Sequence, residues 1–348
     1  VDRYFIVDIK LRLLEISTIQ KYDTKKMYKT YDLWSEIANE EYENQVADIS
    51  FGKISHVVFA GMGGSGAIGD IFSAILSKTN VHVDVVKGYL LPQTVDSKSL
   101  TVVTSVSGNT EESLIILKAA LKSSSKIIAF SSGGKMEKFC SENKIIHKKI
   151  RMRHSPRASF PAFLFGIIKV LQPFLPIKNE DIENAIKKLA IQSKNVSSVN
   201  LSKSNNAISL AKWIDKSPLI YYPCGLEPVA IRFKNSLQEN SKIHASAEDI
   251  IEACHNGIVS WKIGTEFKPI LIQGKDDYIK TKERWNIIQE FFDEKGIEYY
   301  KIESDNGNIL SKLINLIYFC DYVSIYKSIL DKVDPTPVDA IDFVKNRL

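Results

Sequence analysis

The sequence is poor in features that would cross-link the chain, bind zinc through sulfur or cross a membrane. There are only four cysteines in 348 residues, none at a C-x-x-C spacing from another, so we expect neither disulfides nor a zinc–thiolate site. These four are read as reduced, buried thiols: Cys140, Cys224, Cys254 and Cys320. The longest apolar stretch, residues 160–175, is interrupted by Lys169, Gln172 and Pro173, whereas a membrane span needs about 18–20 apolar residues.

Long runs of charge of one sign are missing as well. The net charge is +5 with scattered basic residues, so nucleic acid is not an expected partner, while a faint positive bias suits a small anionic substrate. The N-terminal residues lack the basic, apolar and small-residue order of a signal peptide, and we expect a cytoplasmic protein. With 44% hydrophobic and 25% charged residues, the composition is that of a globular protein.

Strand-like and helix-like segments alternate along most of the chain. Short apolar runs such as residues 56–60, 100–104 and 267–273 are each followed by an amphipathic stretch. This order predicts an α/β fold with two parallel sheets flanked by helices. The predicted divisions are an N-terminal helical extension (1–50), a first domain (51–175), a helical linker (176–210), a second domain (211–331) and a C-terminal helix (332–348).

Two loops rich in glycine and serine each follow an apolar run and each lead into a helix-like stretch. The first, GMGGSGAIGD, spans 61–70, and the second, TSVSGNTEES, spans 104–113. A loop of this kind presents backbone N–H groups and hydroxyls at the positive end of a helix, where phosphate binds. The candidate ligand-binding residues are the loop positions Gly63, Gly64 and Ser65 and the hydroxyl residues Ser105, Ser107 and Thr110.

Each loop has an alternative interpretation. The pattern G-x-G-G-x-G also resembles a dinucleotide fingerprint, in which case Asp84 would be the acidic residue that binds a ribose. Serine and threonine before a helix are common N-caps, so Ser107 or Thr110 could be a capping or turn residue. Three hydroxyl side chains within six residues of sequence favour a phosphosugar, because hydroxyls supply donors without recognising a base.

The segment SVSGNTEES resembles the S-x-S-G-N-T-x-E signature of sugar isomerase domains. Together with GMGGSG, it makes residues 50–348 similar to the bifunctional phosphoglucose/phosphomannose isomerases, a family within the phosphoglucose isomerase superfamily. The resemblance implies two sugar-isomerase-type three-layer sandwich domains. It also implies an aldose–ketose isomerase that interconverts glucose 6-phosphate, and mannose 6-phosphate, with fructose 6-phosphate through a cis-enediol, without cofactor or metal.

The resemblance also assigns two catalytic residues in the middle of the chain. Arg157, in a Pro-Arg pair, matches the arginine that stabilises an enediolate, and Arg151 and Arg153 are the competing candidates. Glu239 falls at the glutamate of K-x-x-x-x-E-N-x-K, where one carboxylate moves a proton between C2 and C1. Glu248 and Asp249 are less suited to this role.

Ring opening is assigned by the same resemblance to His255 and Lys345. His255 stands in ACHNGIVSW, where the acidic residue before the His-Asn pair is displaced from the family pattern. In the family, this histidine reaches the site from the neighbouring subunit, which implies a homodimer. Thr336 in the D-P-T-P turn, or Val338, occupies the position that governs mannose 6-phosphate specificity.

Rival functions remain open from the sequence alone. A non-catalytic phosphosugar-binding regulator would use the same domains without turnover. Another ketose–aldose enzyme, such as a glucosamine-phosphate isomerase half, would normally need an ammonia-generating domain, for which the first fifty residues are too short. The histidines are not grouped at ligand spacing, which argues against a zinc-dependent mannose phosphate isomerase.

Overall fold

The computed structural model describes residues 14–45, 49–262 and 266–347. Two compact units are formed. The first-sheet unit contains Leu33–Ala190 and Asn308–Leu313, and the second-sheet unit contains 14–32, Ile191–Gly307 and 314–347. The predicted N-terminal extension is therefore shared between the two units, and its residues 1–13 lie outside the described residues.

Helices and strands alternate through both units. The strands are β1 His56–Ala60, β2 His82–Val86, β3 Ser99–Ser105, β4 Lys126–Ser131, β5 Ile146–Lys149, β6 Ser217–Tyr222, β7 Ser246–Asp249, β8 Phe267–Gln273 and β9 Tyr300–Glu303. The helices are α1 Ile16–Tyr22, α2 Met27–Asp32, α3 Trp34–Glu43, α4 Gly64–Leu76, α5 Glu111–Lys122, α6 Gly134–Glu142, α7 Phe160–Leu171, α8 Asn179–Val196, α9 Asn206–Trp213, α10 Glu227–Ser236, α11 Ile250–Ala253, α12 Ile279–Glu294, α13 Ile309–Leu330 and α14 Asp339–Lys345.

The first sheet is parallel throughout, in the order β2-β1-β3-β4-β5. Every residue of β1 and β3 is buried, as expected for central strands covered on both faces. Because β1 and β3 are neighbours but their following helices diverge, a crevice opens at the carboxyl ends of these two strands. The two glycine- and serine-rich loops lie at this switch point.

The first-sheet core lies between the sheet and its helices. The rings of Phe59 on β1 and Phe72 on α4 stack with centroids 4.9 Å apart. On the other side of the sheet, Leu117 of α5 and Cys140 of α6 belong to one buried cluster with Val103. Burial raises the pKa of the Cys140 thiol to about 11, so this cysteine is an inert core residue. Cys320 is also buried as expected, whereas Cys224 is exposed and Cys254 is only partly buried.

The second sheet is also parallel, with the order β7-β6-β8-β9. Its core contains Tyr221 from β6, Trp261 and Phe292, and the indole N–H of Trp261 donates to the Tyr221 hydroxyl at 2.8 Å. The polar edge strand β7 and the short helix α11 are not predicted by the sequence pattern. Both lie between Glu239 and His255 in the chain.

Helix α13 is long and apolar enough to cross a membrane, but 89% of its most apolar window is buried inside the protein. Core helices satisfy the same length and hydropathy test. The buried Tyr322 of α13 forms an edge-on contact with Tyr31 of α2, with centroids 6.1 Å apart. Its Asp321 is fully buried and ion-paired with Arg232, an arrangement found in a protein core.

Candidate active site

The loop after β1 brings backbone close to the start of α4. Gly63 has φ 53°, and it immediately precedes the helix. A Cβ on Gly61 would lie 2.8 Å from the Cβ of Ser65 and 3.0 Å from the carbonyl oxygen of Thr104. Only glycine fits at position 61, because this loop packs directly against the end of β3. The first loop and Ser65 are therefore adjacent to the second loop, as the parallel topology predicts.

The second loop contains a short hydroxyl relay. The Ser105 hydroxyl donates to Thr110 Oγ1 at 2.9 Å and accepts from the Thr110 amide at 3.4 Å. Since Oγ1 of Thr110 is an acceptor here, its own proton can be donated to a bound anion. Ser105 is 1% exposed, whereas Ser107 and Thr110 are half-buried, so Ser105 is better placed to orient Thr110 than to contact a ligand itself.

Ser107 and Asn109 shape the turn of the second loop. The Ser107 hydroxyl accepts from the Asn109 amide at 3.2 Å, a local bond typical of serine in turns. The Asn109 side chain accepts from the Lys135 amide at 3.0 Å and so links this loop to the start of α6. Thus Ser107 acts as a turn residue in this structure, which was one of its two sequence interpretations.

A third glycine- and serine-rich loop, residues 131–134 between β4 and α6, was not among the predicted site residues. A Cβ on Gly108 would lie 1.8 Å from the carbonyl oxygen of Gly133, so the second and third loops are packed backbone against backbone. The Ser131 hydroxyl lies 2.8 Å from His147 Nε2. The sequence SSGG after an apolar run could have identified this loop, because the first two loops have the same order of an apolar run followed by glycine and serine.

The three arginines before α7 have different surroundings. Arg151 is exposed. Arg153 pairs with Glu40 at 2.8 Å and Glu41 at 3.4 Å. Arg157 is only 8% exposed and sits just before α7. The ion pairs of Arg153 are those expected of a residue that joins this segment to α3. Arg157 therefore stays the preferred candidate for the arginine that stabilises an enediolate.

Glu239 lies in a π-helical turn, Leu237–Ser241, that follows α10. Such turns widen a helix locally and frequently occur at functional sites. Lys242 ends the turn in the left-handed conformation with φ 59°, and its ammonium group donates to the carbonyl oxygen of Glu239. Glu239 is half-buried.

Buried hydrogen bonds clamp the π turn to α13. The side-chain amide of Asn240 donates to Ser324 Oγ at 2.9 Å, and the Ser241 hydroxyl donates to the Ser324 carbonyl oxygen at 2.6 Å. One helical turn earlier, Asp321 accepts from Arg232 at 2.5 Å and from the Ser236 hydroxyl at 2.7 Å. The chain is thus fixed to α13 on both sides of Glu239, through Ser236 before it and through Asn240 and Ser241 after it.

The C-terminal D-P-T-P turn reaches the same place as the Glu239 turn. Lys242 Nζ donates to the carbonyl oxygen of Pro335 at 3.2 Å, which brings Thr336 close to the segment that carries Glu239. Thr336 is half-buried, and its amide donates to Asp334 Oδ1 at 2.8 Å. Lys345 is exposed on α14.

His255 and Glu239 lie towards opposite ends of the strands of the second sheet. α10 runs from the carboxyl end of β6 back towards the amino ends of the strands, and Glu239 comes at its end, before β7 begins. His255 follows β7 and α11, so it lies beyond the carboxyl end of that strand and is exposed. Nearby, burial and the charges of Glu252 and Asp249 raise the pKa of Glu248.

Comparisons with known proteins establish the family. The chain is 32% identical to the bifunctional phosphoglucose/phosphomannose isomerase of Caldicellulosiruptor bescii over 89% of this chain and 94% of that protein. The protein of the same name from Thermoplasma acidophilum is 32% identical over 85% of this chain and 91% of its own length. This chain belongs to the bifunctional phosphoglucose/phosphomannose isomerase family. The resemblance seen in the sequence motifs is therefore confirmed.

Further comparisons bear on the domains and on the reaction. Residues 203–348 match the family described as the bacterial phospho-glucose isomerase C-terminal SIS domain. A D-glucosamine-6-phosphate 4-epimerase from Sulfolobus acidocaldarius is 27% identical over 71% of this chain and 77% of its own length. The C-terminal domain of glucosamine-fructose-6-phosphate aminotransferase from Francisella tularensis covers 89% of this chain and 98% of its own, with a TM-score of 0.67 and 19% identity. The fold prediction is confirmed by this likeness.

Asp84 does not occupy a position suited to ribose binding. Its carboxylate lies 2.8 Å from His56 Nε2 and 3.5 Å from His82 Nε2, and these two histidines begin β1 and β2. The cluster therefore faces the amino ends of the strands, whereas the glycine loops lie at the carboxyl ends. Asp84 is therefore not placed to bind the ribose of a dinucleotide at the first loop.

Proposed function

We propose that this chain is an aldose–ketose isomerase that interconverts glucose 6-phosphate and mannose 6-phosphate with fructose 6-phosphate. The observation that carries this proposal is the 32% identity, along 89% of the chain, to an isomerase named for both hexose phosphates. The reaction is a step shared by glycolysis and gluconeogenesis, and a cytoplasmic location fits it. The hydroxyl loops and the clamped glutamate supply the two kinds of group the reaction needs.

The substrate phosphate would bind where the first and second loops meet. Thr110 and Ser65 would donate hydroxyl hydrogen bonds, and the N-terminal amides of α4 and α5 would add theirs. The substrate phosphate is a dianion. Hydroxyl donors and the positive ends of helix dipoles together would bind this charge, so the proposal needs no metal ion. Gly63 and Gly64 allow the backbone to approach the ligand closely.

Proton transfer would be carried out by Glu239. Its carboxylate would remove the proton from C2 of the open-chain aldose and return it to C1, and the guanidinium of Arg157 would stabilise the enediolate formed between these steps. His255 and Lys345 would open the sugar ring beforehand, by moving a proton at the ring oxygen and polarising the adjacent hydroxyl.

The positions of Glu239 and His255 support a homodimer. Because they lie towards opposite ends of the strands of the second sheet, one chain does not present both at the same end of that sheet. A second subunit that places its own His255 beside Glu239 would resolve this geometry. The proposed active site is therefore built from residues of two chains.

Thr336 is the better candidate for the mannose specificity position. Lys242 joins its turn to the Glu239 turn, so the hydroxyl is close to the segment where C2 chemistry would occur. Val338 precedes α14 as its cap residue and carries no hydroxyl. A hydroxyl near C2 can hold a water or a substrate oxygen in both epimers, which is what dual specificity requires.

The relative from Sulfolobus acidocaldarius favours one second candidate, epimerisation of an amino sugar phosphate at C4. The purified chain should be incubated separately with glucose 6-phosphate, mannose 6-phosphate and glucosamine 6-phosphate, and the products identified by NMR. We expect fructose 6-phosphate from the first two and no galactosamine 6-phosphate from the third. Turnover of glucosamine 6-phosphate alone would replace the proposal with the epimerase, and binding without any turnover would indicate a phosphosugar-binding regulator.

A further inference from the structure

Three metal-ligating side chains meet at the amino ends of β1 and β2. Parallel pairing sets His56 opposite His82, and Asp84 projects from β2 two residues further on. One ligand atom from each of the three lies within 4.8 Å of the others. Sequence spacing does not reveal this cluster, because adjacent parallel strands join residues that are far apart in the chain.

A chain of hydrogen bonds through Ser99 and Asp96 holds the Nδ1 side of the His56 ring. Ser99 on β3 is paired with His56 across the sheet, and its hydroxyl lies 3.3 Å from His56 Nδ1. That hydroxyl donates to Asp96 Oδ1 at 2.9 Å and accepts from the Asp96 amide at 2.9 Å. With its only proton given to Asp96, Ser99 must accept from His56 Nδ1–H.

This arrangement leaves the other ring nitrogen directed at a negative charge. With the proton on Nδ1, the Nε2 atom of a neutral imidazole has a lone pair, and it faces the Asp84 carboxylate at 2.8 Å. A lone pair facing a carboxylate is repulsive, so a positive species is needed at this contact. At 2.8 Å a proton fits between the two atoms, and a metal ion can replace that proton if the two side chains move apart slightly. That species is either a second ring proton or a metal cation.

We propose that His56, His82 and Asp84 form a binding site for a divalent transition metal ion of the zinc class. Two imidazoles and a carboxylate are ligands that zinc accepts, and a ligating histidine regularly donates its other ring N–H to an outer partner, which for His56 is the Ser99 hydroxyl. Ligand atoms of a tetrahedral zinc site are about 3.3 Å apart. The 3.5 Å between His82 and Asp84 is close to this value, and the 2.8 Å between His56 and Asp84 would have to lengthen by about 0.5 Å when the ion binds.

The exposed position of His82 makes the site accessible. Its side chain is 66% exposed, against 8% for His56, so it can rotate to complete the coordination and leave a fourth position for water. The ion would tie the edge strand β2 to the central strand β1. Since the cluster lies at the opposite end of the strands from the glycine loops, its role is structural and independent of the proposed isomerase reaction.

Isothermal titration of the chelator-treated full-length chain with zinc chloride tests the proposal. We expect one ion per chain, and His82→Ala should weaken binding at least about tenfold without loss of folding, because this side chain is exposed. Ser99→Ala should weaken binding about tenfold with the same stoichiometry. His244→Ala, an exposed histidine in the second-sheet unit, is the matched control and should bind as the unmodified chain does.

Two results would overturn this proposal. One is the absence of zinc binding by the unmodified chain, which would mean that His56 and Asp84 are joined by an N–H···O hydrogen bond instead of a metal ion. The other is binding that survives His82→Ala and disappears in Cys224→Ser, since Cys224 is an exposed thiol. Isomerase activity, measured in parallel, should be the same for His82→Ala and the unmodified chain.

Discussion

At the scale of single residues, Gly108 sets the shape of the proposed phosphate site. It has φ 70° and lies between the hydroxyls of the second loop and the backbone of the third. A left-handed conformation is strained for residues other than glycine. The close approach to the Gly133 carbonyl oxygen also leaves no room for a methyl group. Backbone conformation and steric contact therefore each require glycine at position 108.

Gly108→Ala is therefore expected to destabilise the chain by at least about 2 kcal/mol, from backbone strain and the clash with the Gly133 carbonyl. Urea unfolding followed by circular dichroism measures this loss. Gly88→Ala is the matched control, because a Cβ there meets no atom within 4 Å among the described residues. It should change stability by no more than about 0.5 kcal/mol. Equal midpoints for the two variants would show that the second and third loops do not pack as described.

At the scale of elements, the π turn after α10 owes its position to α13. The clamp consists of Asn240 and Ser241 on the turn and Ser324 on the helix, all buried. A glutamate that must remove a proton from carbon and return it needs a fixed position, and small displacements are costly in rate. The clamp makes Ser324 a positioning residue, since it acts through Asn240.

Ser324→Ala should lower kcat about tenfold and leave KM nearly unchanged, because Asn240 loses its acceptor while the phosphate site is intact. Steady-state kinetics on glucose 6-phosphate make the comparison. Ser328→Ala is the control: this buried serine lies one turn further along α13 and donates to the Ile325 carbonyl oxygen at 2.7 Å. Similar losses of kcat in both variants would mean that α13 packing in general, and not the clamp, controls activity.

Much of the architecture follows from local sequence. The bounds of β1, β8 and α5 agree with the apolar runs and the helix signals in the sequence, because each apolar run ends in polar or glycine-rich sequence. The strand β7, with the sequence SAED, has no hydrophobic alternation, and only its pairing with β6 makes it a strand. The sequence pattern predicts one helix over residues 227–240, whereas α10 ends at Ser236 and the π turn follows it, because the clamp to α13 depends on tertiary contacts.

The candidate site divides in the same way. The first and second loops are predictable because their hydroxyls and glycines are contiguous in sequence. The Asn240–Ser324 hydrogen bond and the His56–His82–Asp84 cluster join segments far apart in the chain, and no local pattern indicates them. Ser105 and Thr110 belong to one sequence motif, but the sequence does not show that Ser105 is buried and donates to Thr110.

At the scale of the whole molecule, two residues proposed for one reaction lie towards opposite ends of the strands of one sheet. Glu239 follows α10, and His255 follows β7. A dimer in which each site takes Glu239 from one chain and His255 from the other would account for this placement. Activity would then depend on the assembled pair.

A tagged heterodimer of Glu239→Gln and His255→Gln subunits tests this arrangement. If the two residues act across the interface, one of the two sites is unmodified, and the purified heterodimer should recover about half of the activity of the unmodified dimer. Each homodimer of a variant serves as the inactive reference. A heterodimer as inactive as these references would place both residues of each site on one chain.

The central claim is that Glu239 transfers the proton between C2 and C1. The most direct measurement is the conversion of glucose 6-phosphate in deuterated water, with product deuterium at C1 followed by NMR. The unmodified chain should form fructose 6-phosphate with solvent deuterium at C1, and Glu239→Gln should slow its formation about 10²–10⁴-fold, whereas Glu248→Gln should not. Deuterium incorporation by Glu239→Gln at the unmodified rate would contradict the account.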